Sequence, residues 1–326
     1  MRQDAVIVAG PTASGKSALA LAVARALGGV VINADSMQVY RDLRILTARP
    51  GVEEEALCPH ALYGVRDAGE PGSVAWWRDA ALAAMRVAWA GGRLPILCGG
   101  TGLYFAALTD GLTDIPDPGE AARVAARGLL AEVGPAALHA RLAARDPRTA
   151  LLLRPTDSQR LARAWEVLEG TGRGLADWRE GARLPPAPAR FAAVLLAPER
   201  DGLRAAIEAR FAGMLRQGAV EEVAALLARG LPPSLPAMRA HGVPELAAYL
   251  HGETDLAEAA ARAVRAQHRY SKRQATWFAH HQLAPDDRLD IITTRIAGMT
   301  QEMQSREAKI ISFIRRCVDA APEPPP

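Results

Sequence analysis

Four short apolar runs along the chain have the pattern of strands that are buried on both faces of a sheet. They occupy residues 5–9, 30–33, 94–98 and 191–196. Stretches rich in alanine and leucine lie between them, and the first, residues 16–27, ends at a glycine pair, which is a typical helix stop. Strands that alternate with helices predict an α/β fold with a parallel sheet, whose ligands bind at the carboxyl ends of the strands.

Two proline-rich segments, Ile115–Pro118 and Pro185–Pro188, divide the chain. Between them the sequence is almost entirely Ala, Arg, Leu and Glu with helical periodicity, which predicts an inserted all-helical subdomain. The predicted core consists of residues 1–114 and 188–290. The predicted insert is 115–187, and a C-terminal extension is predicted at 291–326. The last part of the core is largely helical. In the extension, residues 310–314 could form an amphipathic helix that docks locally, and the proline-rich end from Ala321 is predicted to be disordered.

The composition favours a folded, soluble protein of the cell interior. Of 326 residues, 49% are hydrophobic and 23% are charged, as in globular proteins. No apolar run reaches the roughly 18 residues of a membrane helix, so no membrane contact is expected. The cysteines, Cys58, Cys98 and Cys317, are far apart and odd in number, which argues against a disulfide framework and a zinc cluster. We therefore expect a cytoplasmic location, and we further expect a monomer without an obligate protein partner.

The first strand leads into a phosphate-binding loop. Residues 10–17 match the pattern G-x-x-x-x-G-K-[ST] between a strand and a helix, and this motif predicts a P-loop fold. Inward-turned backbone N–H groups and the helix dipole bind phosphate, Lys16 adds a point charge, and the Ser17 hydroxyl is a suitable Mg²⁺ ligand. The candidate diphosphate-binding residues are Gly10, Pro11, Thr12, Ala13, Ser14, Gly15, Lys16 and Ser17. The motif predicts a bound di- or triphosphate without deciding which, and leaves open whether ATP also occupies the loop.

The acidic residue that most nucleotide-using phosphate loops require is missing from its usual place. The strand at 94–98 ends in glycines, and the only strand-end carboxylate belongs to Asp35. A sheet with an aspartate at one strand end and a glycine run at another is also similar to that of small-metabolite kinases such as shikimate kinase. These enzymes transfer a phosphoryl group from ATP. That kinase is the alternative for the core, and an RNA-binding module with a vestigial phosphate loop is a third hypothesis.

Five segments resemble the tRNA dimethylallyltransferase (isopentenyl-tRNA transferase) family. In family order they are residues 10–17, 33–43, 99–108, 155–167 and 269–278. The last two are unexpected in a metabolite kinase, and the lack of a Cys/His finger after the core indicates the bacterial type. The resemblance implies transfer of a dimethylallyl group from dimethylallyl diphosphate to N6 of the adenosine at tRNA position 37, beside the anticodon, with release of diphosphate.

This chemistry requires a general base, for which Asp35 is the candidate. The N6 amine of adenine is a poor nucleophile, and removal of its proton during attack is worth roughly 10²–10⁴-fold in rate. From the sequence alone, Asp35 could instead bind a metal or cap a helix. The resemblance implies that Asp35 accepts a hydrogen bond from N6 and that Thr101 hydrogen-bonds at the reacting centre. Thr101 could also cap the helix that begins at Gly102.

Arg210 is the candidate for a second cationic group at the diphosphate. It lies on or beside an apolar stripe at helical spacing, formed by Leu203, Ile207, Phe211 and Met214. A guanidinium in such a place needs an anion, which could be the diphosphate or a carboxylate in a salt bridge. The resemblance favours the diphosphate. Fixed cations and Mg²⁺ would stabilise the charge that develops on this leaving group.

A basic helix face, formed by Arg262, Arg265, Arg269 and Lys272, is suited to a phosphate backbone, although such faces are often only solvated. The resemblance assigns tRNA contacts to Asp35, Ser36, Met37, Gln38, Thr101, Arg123, Gln159, Arg160, Leu161, Ala162, Arg163, Arg239, Lys272, Arg273, Gln274 and Trp277; around Arg239 it is only partial. A stacked base cannot reach a buried Asp35, so we expect the adenosine to be extruded into a channel. The insert is predicted to clamp the anticodon stem-loop and to move on binding.

Overall fold

The computed structural model describes residues 3–296 and 301–319. A six-stranded parallel sheet with the order β3-β2-β4-β1-β7-β8 forms its centre. Its strands are β1 (Asp4–Ala9), β2 (Gly29–Asn33), β3 (His60–Ala61), β4 (Leu94–Gly99), β7 (Arg190–Leu196) and β8 (Leu289–Ile292). An antiparallel pair consists of β5 (Leu112–Thr113) and β6 (Arg183–Leu184). The four predicted strands are confirmed, each to within one residue at either end.

Thirteen α-helices occur in the described ranges, and two 3₁₀ turns lie at Ala237–Arg239 and Asp286–Arg288. The helices up to the insert are α1 (Lys16–Leu27), α2 (Val52–Leu57), α3 (Val74–Ala90) and α4 (Gly102–Thr109). Those of the insert are α5 (Glu120–Arg145), α6 (Pro147–Leu151), α7 (Ser158–Thr171) and α8 (Leu175–Arg179). The remaining helices are α9 (Arg200–Arg216), α10 (Ala219–Leu227), α11 (Val243–Leu250), α12 (Leu256–Phe278) and α13 (Gln301–Asp319). No helix in the described ranges is long and apolar enough to cross a membrane.

Strand β1 shows why the apolar runs form the centre of the sheet. Residues 5–9 are all 0% exposed. Ile7 and Ala9 point into one hydrophobic cluster, with Trp77 of α3, whereas Val6 and Val8 point into a second cluster, with α1. Because successive side chains of a strand face opposite sides, a strand covered on both faces is apolar at every position.

The chain forms two compact units, one made of residues up to Thr109 and from Ala187 onward, the other of Asp110–Pro186. The second unit has its own core, which includes Leu138, Leu142, Leu161 and Trp165. The expectation of an all-helical insert needs one correction, because β6 lies within it and pairs with β5. Strands of two residues are too short to show an alternating pattern, so the sequence did not predict this pair.

The C-terminal part contributes to the core of the first unit. Strand β8 extends the sheet beside β7, so the predicted boundary at residue 290 falls inside a strand. The predicted amphipathic helix is confirmed, since Ile310 and Ile314 of α13 are buried in the same cluster as α1. The disorder predicted from Ala321 falls outside the described residues.

Candidate active site

Three loops meet at the carboxyl edge of the sheet, after the adjacent strands β1, β4 and β2. They carry the phosphate loop, Thr101 and Asp35. Backbone hydrogen bonds join the loop of Thr101 to the loop of Asp35. Ala34 N donates to Cys98 O (2.8 Å), and Thr101 N donates to Ala34 O (3.2 Å). A Cβ atom on Gly99 would lie 2.0 Å from the oxygen of Ala34, so the close approach of these loops requires glycine there.

One cavity of about 1120 Å³ connects Asp35 with the predicted diphosphate-binding groups, whereas Thr101 is not among the residues that line it. Thr12, Lys16, Asp35 and Arg210 are among the residues that line it. The Lys16 ammonium is partly buried and donates to the carbonyl oxygen of Pro11 (3.3 Å). Burial lowers the pKa of Lys16, while the negative charge of Asp35 acts in the opposite direction. The cavity therefore places a carboxylate and two cations around one space.

The carboxylate of Asp35 is held by its own loop. Its Oδ1 accepts a hydrogen bond from Met37 N (2.9 Å), whereas Oδ2 has no hydrogen-bond partner in the described part of the chain. The buried Asn33, which was not among the predicted site residues, accepts a hydrogen bond from Asp35 N on Oδ1 (2.8 Å) and donates from Nδ2 to Asp35 O (3.0 Å). Residues 36–39 form a turn and not a helix start, so Asp35 is not a helix cap. One carboxylate oxygen is oriented and the other remains for a ligand.

Thr101 bonds across to the Asp35 loop. Its Oγ1 accepts from Ser36 N (3.0 Å) and donates to Ser36 Oγ (3.4 Å). The Tyr270 hydroxyl on α12 also lies near Thr101, which acts to lower its pKa. Among the described contacts none joins this side chain to the backbone of α4, so the alternative of a helix cap is not observed. Burial and the nearby Asp35 raise the pKa of Tyr270, which keeps its hydroxyl protonated.

Arg210 lies beside the buried apolar stripe of α9, as the sequence predicted. Its Nη2 donates to Thr47 O (3.4 Å), and its buried Nε has no hydrogen-bond partner in the described part of the chain. No carboxylate of the described residues forms a salt bridge with it. Burial lowers its pKa, and Asp35 opposes this shift. Arg210 is thus a largely desolvated cation that faces the cavity without a carboxylate partner.

Comparisons with known proteins are consistent along the whole chain. The profile of the family described as IPP transferase matches residues 38–281, and that described as isopentenyl transferase matches residues 3–58. The tRNA dimethylallyltransferase of Gluconobacter oxydans is 63% identical, over 98% of this chain and 96% of that relative. This chain belongs to the IPP transferase family. The predicted resemblance is confirmed, and the metabolite-kinase alternative is not favoured.

Solved structures of similar proteins agree with this family assignment. The full-length tRNA isopentenylpyrophosphate transferase from Bacillus halodurans is 31% identical with a TM-score of 0.68, covering 98% of this chain and 97% of that chain. A eukaryotic dimethylallyltransferase described as acting on tRNA has a TM-score of 0.77 at 24% identity, covering 99% of this chain and 82% of that chain. At that identity the second likeness concerns the fold alone.

In this member of the IPP transferase family, the structure adds a candidate site residue that the sequence did not reveal. Arg295, in the segment after β8, lines the same cavity and donates from Nε to Ala13 O (2.8 Å). The next residue, Ile296, donates its N–H to Ser14 O (3.1 Å). Gly15 has φ +95°, and a Cβ atom there would lie 2.1 Å from the oxygen of Ile296. No motif or periodic pattern marks Arg295, so only the folded chain reveals it.

Several residues that the family resemblance assigned to tRNA have their polar groups engaged within the protein. The Gln38 amide donates to Thr47 O (2.9 Å) and Ala48 O (3.1 Å). The Gln274 amide bonds to the phosphate loop and to Gly100. Ser36 contacts Thr101 as described above, and Met37 borders the cavity. Arg239 is exposed in a 3₁₀ turn.

The outer side of α12 carries the exposed part of the predicted tRNA site. Lys272, Arg273 and Trp277 line a surface depression of about 570 Å³. The Trp277 ring is stacked on His281, with ring centroids 4.0 Å apart, so this histidine belongs to the same surface. Arg262 and Arg265, in contrast, both bond to Glu258. The basic face is therefore partly neutralised at the start of α12 and open near its end.

In the insert, the residues assigned to tRNA differ in their burial and in their partners. Arg123, Arg160 and Arg163 form salt bridges with Asp117 and Glu120, Asp157, and Glu166 respectively. Gln159 is exposed and Ala162 is partly buried. Leu161 is 0% exposed in the core of the insert. Its side chain therefore faces the apolar side of α7, and the tRNA contact at this position stays a prediction.

Proposed function

We propose that this protein transfers a dimethylallyl group from dimethylallyl diphosphate to N6 of the adenosine at position 37 of tRNA, releasing diphosphate. The observation that carries the proposal is the single cavity lined by Asp35, the phosphate loop and Arg210. A candidate general base and several cations line the same space, which supports an alkyl transfer with an anionic leaving group. Membership of the IPP transferase family supports the same reaction.

The proposed step forms one bond and breaks another. The N6 nitrogen attacks the first carbon of the dimethylallyl group, and the bond from that carbon to the bridging oxygen of the diphosphate breaks. The proton of N6 passes to Asp35 Oδ2, which has no other partner in the described part of the chain. Because Met37 N holds Oδ1, the carboxylate is oriented before the substrate binds.

The leaving diphosphate is the proposed ligand of the phosphate loop, Lys16 and Arg210. These groups lie where negative charge grows during the reaction, and fixed donors in a partly desolvated site are effective there. Mg²⁺ fits this site through the exposed Ser17 hydroxyl, since Mg²⁺ commonly takes one or two protein ligands together with substrate phosphates. In the described part of the chain no cluster of three His, Cys, Asp or Glu forms a separate metal site. When bound, Mg²⁺ would neutralise part of the diphosphate charge.

The tRNA is proposed to contact the outer side of α12. Lys272 and Arg273 are exposed cations for the phosphate backbone, and Trp277 supplies an aromatic ring in the same depression. The adenosine is proposed to leave the stack of the anticodon loop, because Asp35 lies inside the cavity. Arg160 and Arg163 are further candidate contacts in the insert. We also propose that the protein acts as a cytoplasmic monomer; its three unpaired cysteines are compatible with a reducing compartment.

The deciding experiment incubates the protein with Mg²⁺, labelled dimethylallyl diphosphate and unmodified tRNA. We expect label in the RNA, and no label in a tRNA whose adenosine 37 is replaced by guanosine, which lacks the N6 amine. Transfer of phosphate from ATP to a small metabolite without prenylation would instead support a kinase. Tight tRNA binding with neither reaction would support an RNA-binding module.

A further inference from the structure

Gln274 is a buried residue of α12 whose amide oxygen and amide nitrogen both form hydrogen bonds. Its side chain is 4% exposed. The Oε1 atom accepts hydrogen bonds from Thr12 N (2.9 Å) and Thr12 Oγ1 (3.2 Å), and Nε2 donates to Gly100 O (2.9 Å). One side chain thus joins the phosphate loop to the loop that carries Thr101.

The neighbouring glycines show how closely α12 approaches this second loop. A Cβ atom on Gly100 would lie 2.2 Å from Gln274 Nε2, and one on Gly102 would lie 2.1 Å from the Trp277 ring. A side chain at Gly100 would displace the Gln274 amide, and one at Gly102 would displace the Trp277 ring. Tyr270, one helical turn before Gln274, has its hydroxyl near both Thr101 and Gln274, and these two side chains act against the rise in its pKa. The contact between α12 and the loop therefore extends over two helical turns.

We propose that Gln274 is a positioning residue of the diphosphate cradle and that its side chain does not contact RNA. This inference rests on the proposed function. Gln274 accepts hydrogen bonds from both the backbone and the side chain of Thr12, the third residue of the phosphate loop, and so holds Thr12 in place. A cradle binds an anion strongly only if its donors are already aimed, so loss of this contact should weaken diphosphate binding. The exposed residues of the same segment, Lys272 and Arg273, remain the candidates for RNA contact.

The test uses Gln274→Met, which keeps the length of the side chain and removes both hydrogen-bonding groups. We expect the dissociation constant for inorganic pyrophosphate with Mg²⁺, measured by calorimetry without tRNA, to rise about tenfold. The dissociation constant for tRNA should stay within about twofold of the wild-type value, a change smaller than one lost hydrogen bond. In transfer assays the KM for dimethylallyl diphosphate should rise and the KM for tRNA should not.

Lys272→Ala is the matched control, because Lys272 lies two residues away on the exposed side of α12. We expect it to weaken tRNA binding and to leave pyrophosphate binding unchanged. The opposite pattern, in which Gln274→Met weakens tRNA and spares pyrophosphate, would overturn the inference. Equal losses of both affinities, or no loss of either, would overturn it as well.

Gln274→Glu separates positioning from general damage to the fold. At pH 8 an ionised glutamate cannot donate to Gly100 O and repels the diphosphate, so pyrophosphate binding should be weaker than in Gln274→Met. A protonated carboxyl restores a donor and an acceptor, and burial raises the pKa of such a group. The loss of pyrophosphate affinity relative to the wild type, measured at each pH, should therefore be smaller near pH 5.5. A deficit independent of pH would contradict a positioning role. Failure of the wild-type protein to bind pyrophosphate would contradict the proposed function instead.

Discussion

Arg295 donates a hydrogen bond from Nε to the carbonyl oxygen of Ala13, across a distance of 2.8 Å. The two residues are 282 positions apart in the sequence. Because Ile296 N also bonds to Ser14 O, the segment after β8 lies directly against the phosphate loop. The Nη nitrogens of Arg295, which form no hydrogen bond with the described residues, add a further cation to the cavity lined by Lys16 and Arg210.

Replacement of Arg295 by alanine tests this contribution. We expect the KM for dimethylallyl diphosphate to rise by about two- to fivefold, a small change because the side chain is exposed and solvent screens its charge. Steady-state kinetics at saturating tRNA measure it. Arg315→Ala is the control, since Arg315 is an exposed arginine of α13 outside the cavity. An unchanged KM for Arg295→Ala would exclude a role at the diphosphate.

Asp35→Asn tests the general base. The amide oxygen can still accept from Met37 N, so the loop should keep its conformation. The rate of prenyl transfer in single-turnover experiments should fall by roughly 10²–10⁴-fold, because an amide cannot take the N6 proton. Filter binding should show a tRNA affinity close to that of the wild type. A large loss of tRNA binding would mean that Asp35 has a structural role.

Arg210→Ala removes a cation that has no carboxylate partner among the described residues. Its charge-assisted contact with diphosphate should be worth about 10- to 100-fold in the KM for dimethylallyl diphosphate. Competition by inorganic pyrophosphate, measured in the same assay, should weaken in parallel. Arg204→Ala is a suitable control, because Arg204 lies on the same helix and is exposed. If Arg210→Ala leaves both quantities unchanged, the guanidinium does not bind the diphosphate.

Ile314→Ala tests whether the C-terminal helix is part of the folded core. Ile314 is 0% exposed in the cluster that contains α1. Removal of its side chain should lower the free energy of unfolding by about 2–5 kcal/mol, through lost burial and a residual cavity. Urea denaturation measures this value, with the exposed Ser312→Ala as the control. A change as small as that of the control would show that α13 contributes little to stability.

The thiol of Cys98 should resist alkylation. Burial raises its pKa to about 11, and the positive charge of Lys16 only partly offsets this. At a pH below the pKa of a thiol, only a small fraction is present as the reactive thiolate. At pH 8 this fraction is about one molecule in a thousand for Cys98. Mass spectrometry after iodoacetamide treatment should find Cys98 modified in unfolded protein and hardly at all in native protein. Rapid modification of native Cys98 at pH 8 would contradict this burial.

Local patterns predicted the central strands because the physical cause is local. Residues 5–9 are apolar at every position since both faces of β1 are covered, and this leaves a continuous apolar run. Strand β8 escaped prediction because it lies at the sheet edge, where Ile291 is exposed and only Ile292 is buried. Strands β5 and β6 are two residues long and have no period to detect.

The sequence by itself determined the P-loop α/β fold, the phosphate loop at residues 10–17 and the candidate roles of Asp35 and Arg210. The fold and the phosphate loop depend on runs of neighbouring residues, whereas the two candidate roles depend on the resemblance to the family as well. Only the tertiary structure decided that Gln274 faces inward to Thr12, 262 positions away, and that Arg295 reaches Ala13. The physical reason is that hydrogen bonds between distant segments leave no periodic trace in the chain, since they depend on which faces the packed core turns towards each other.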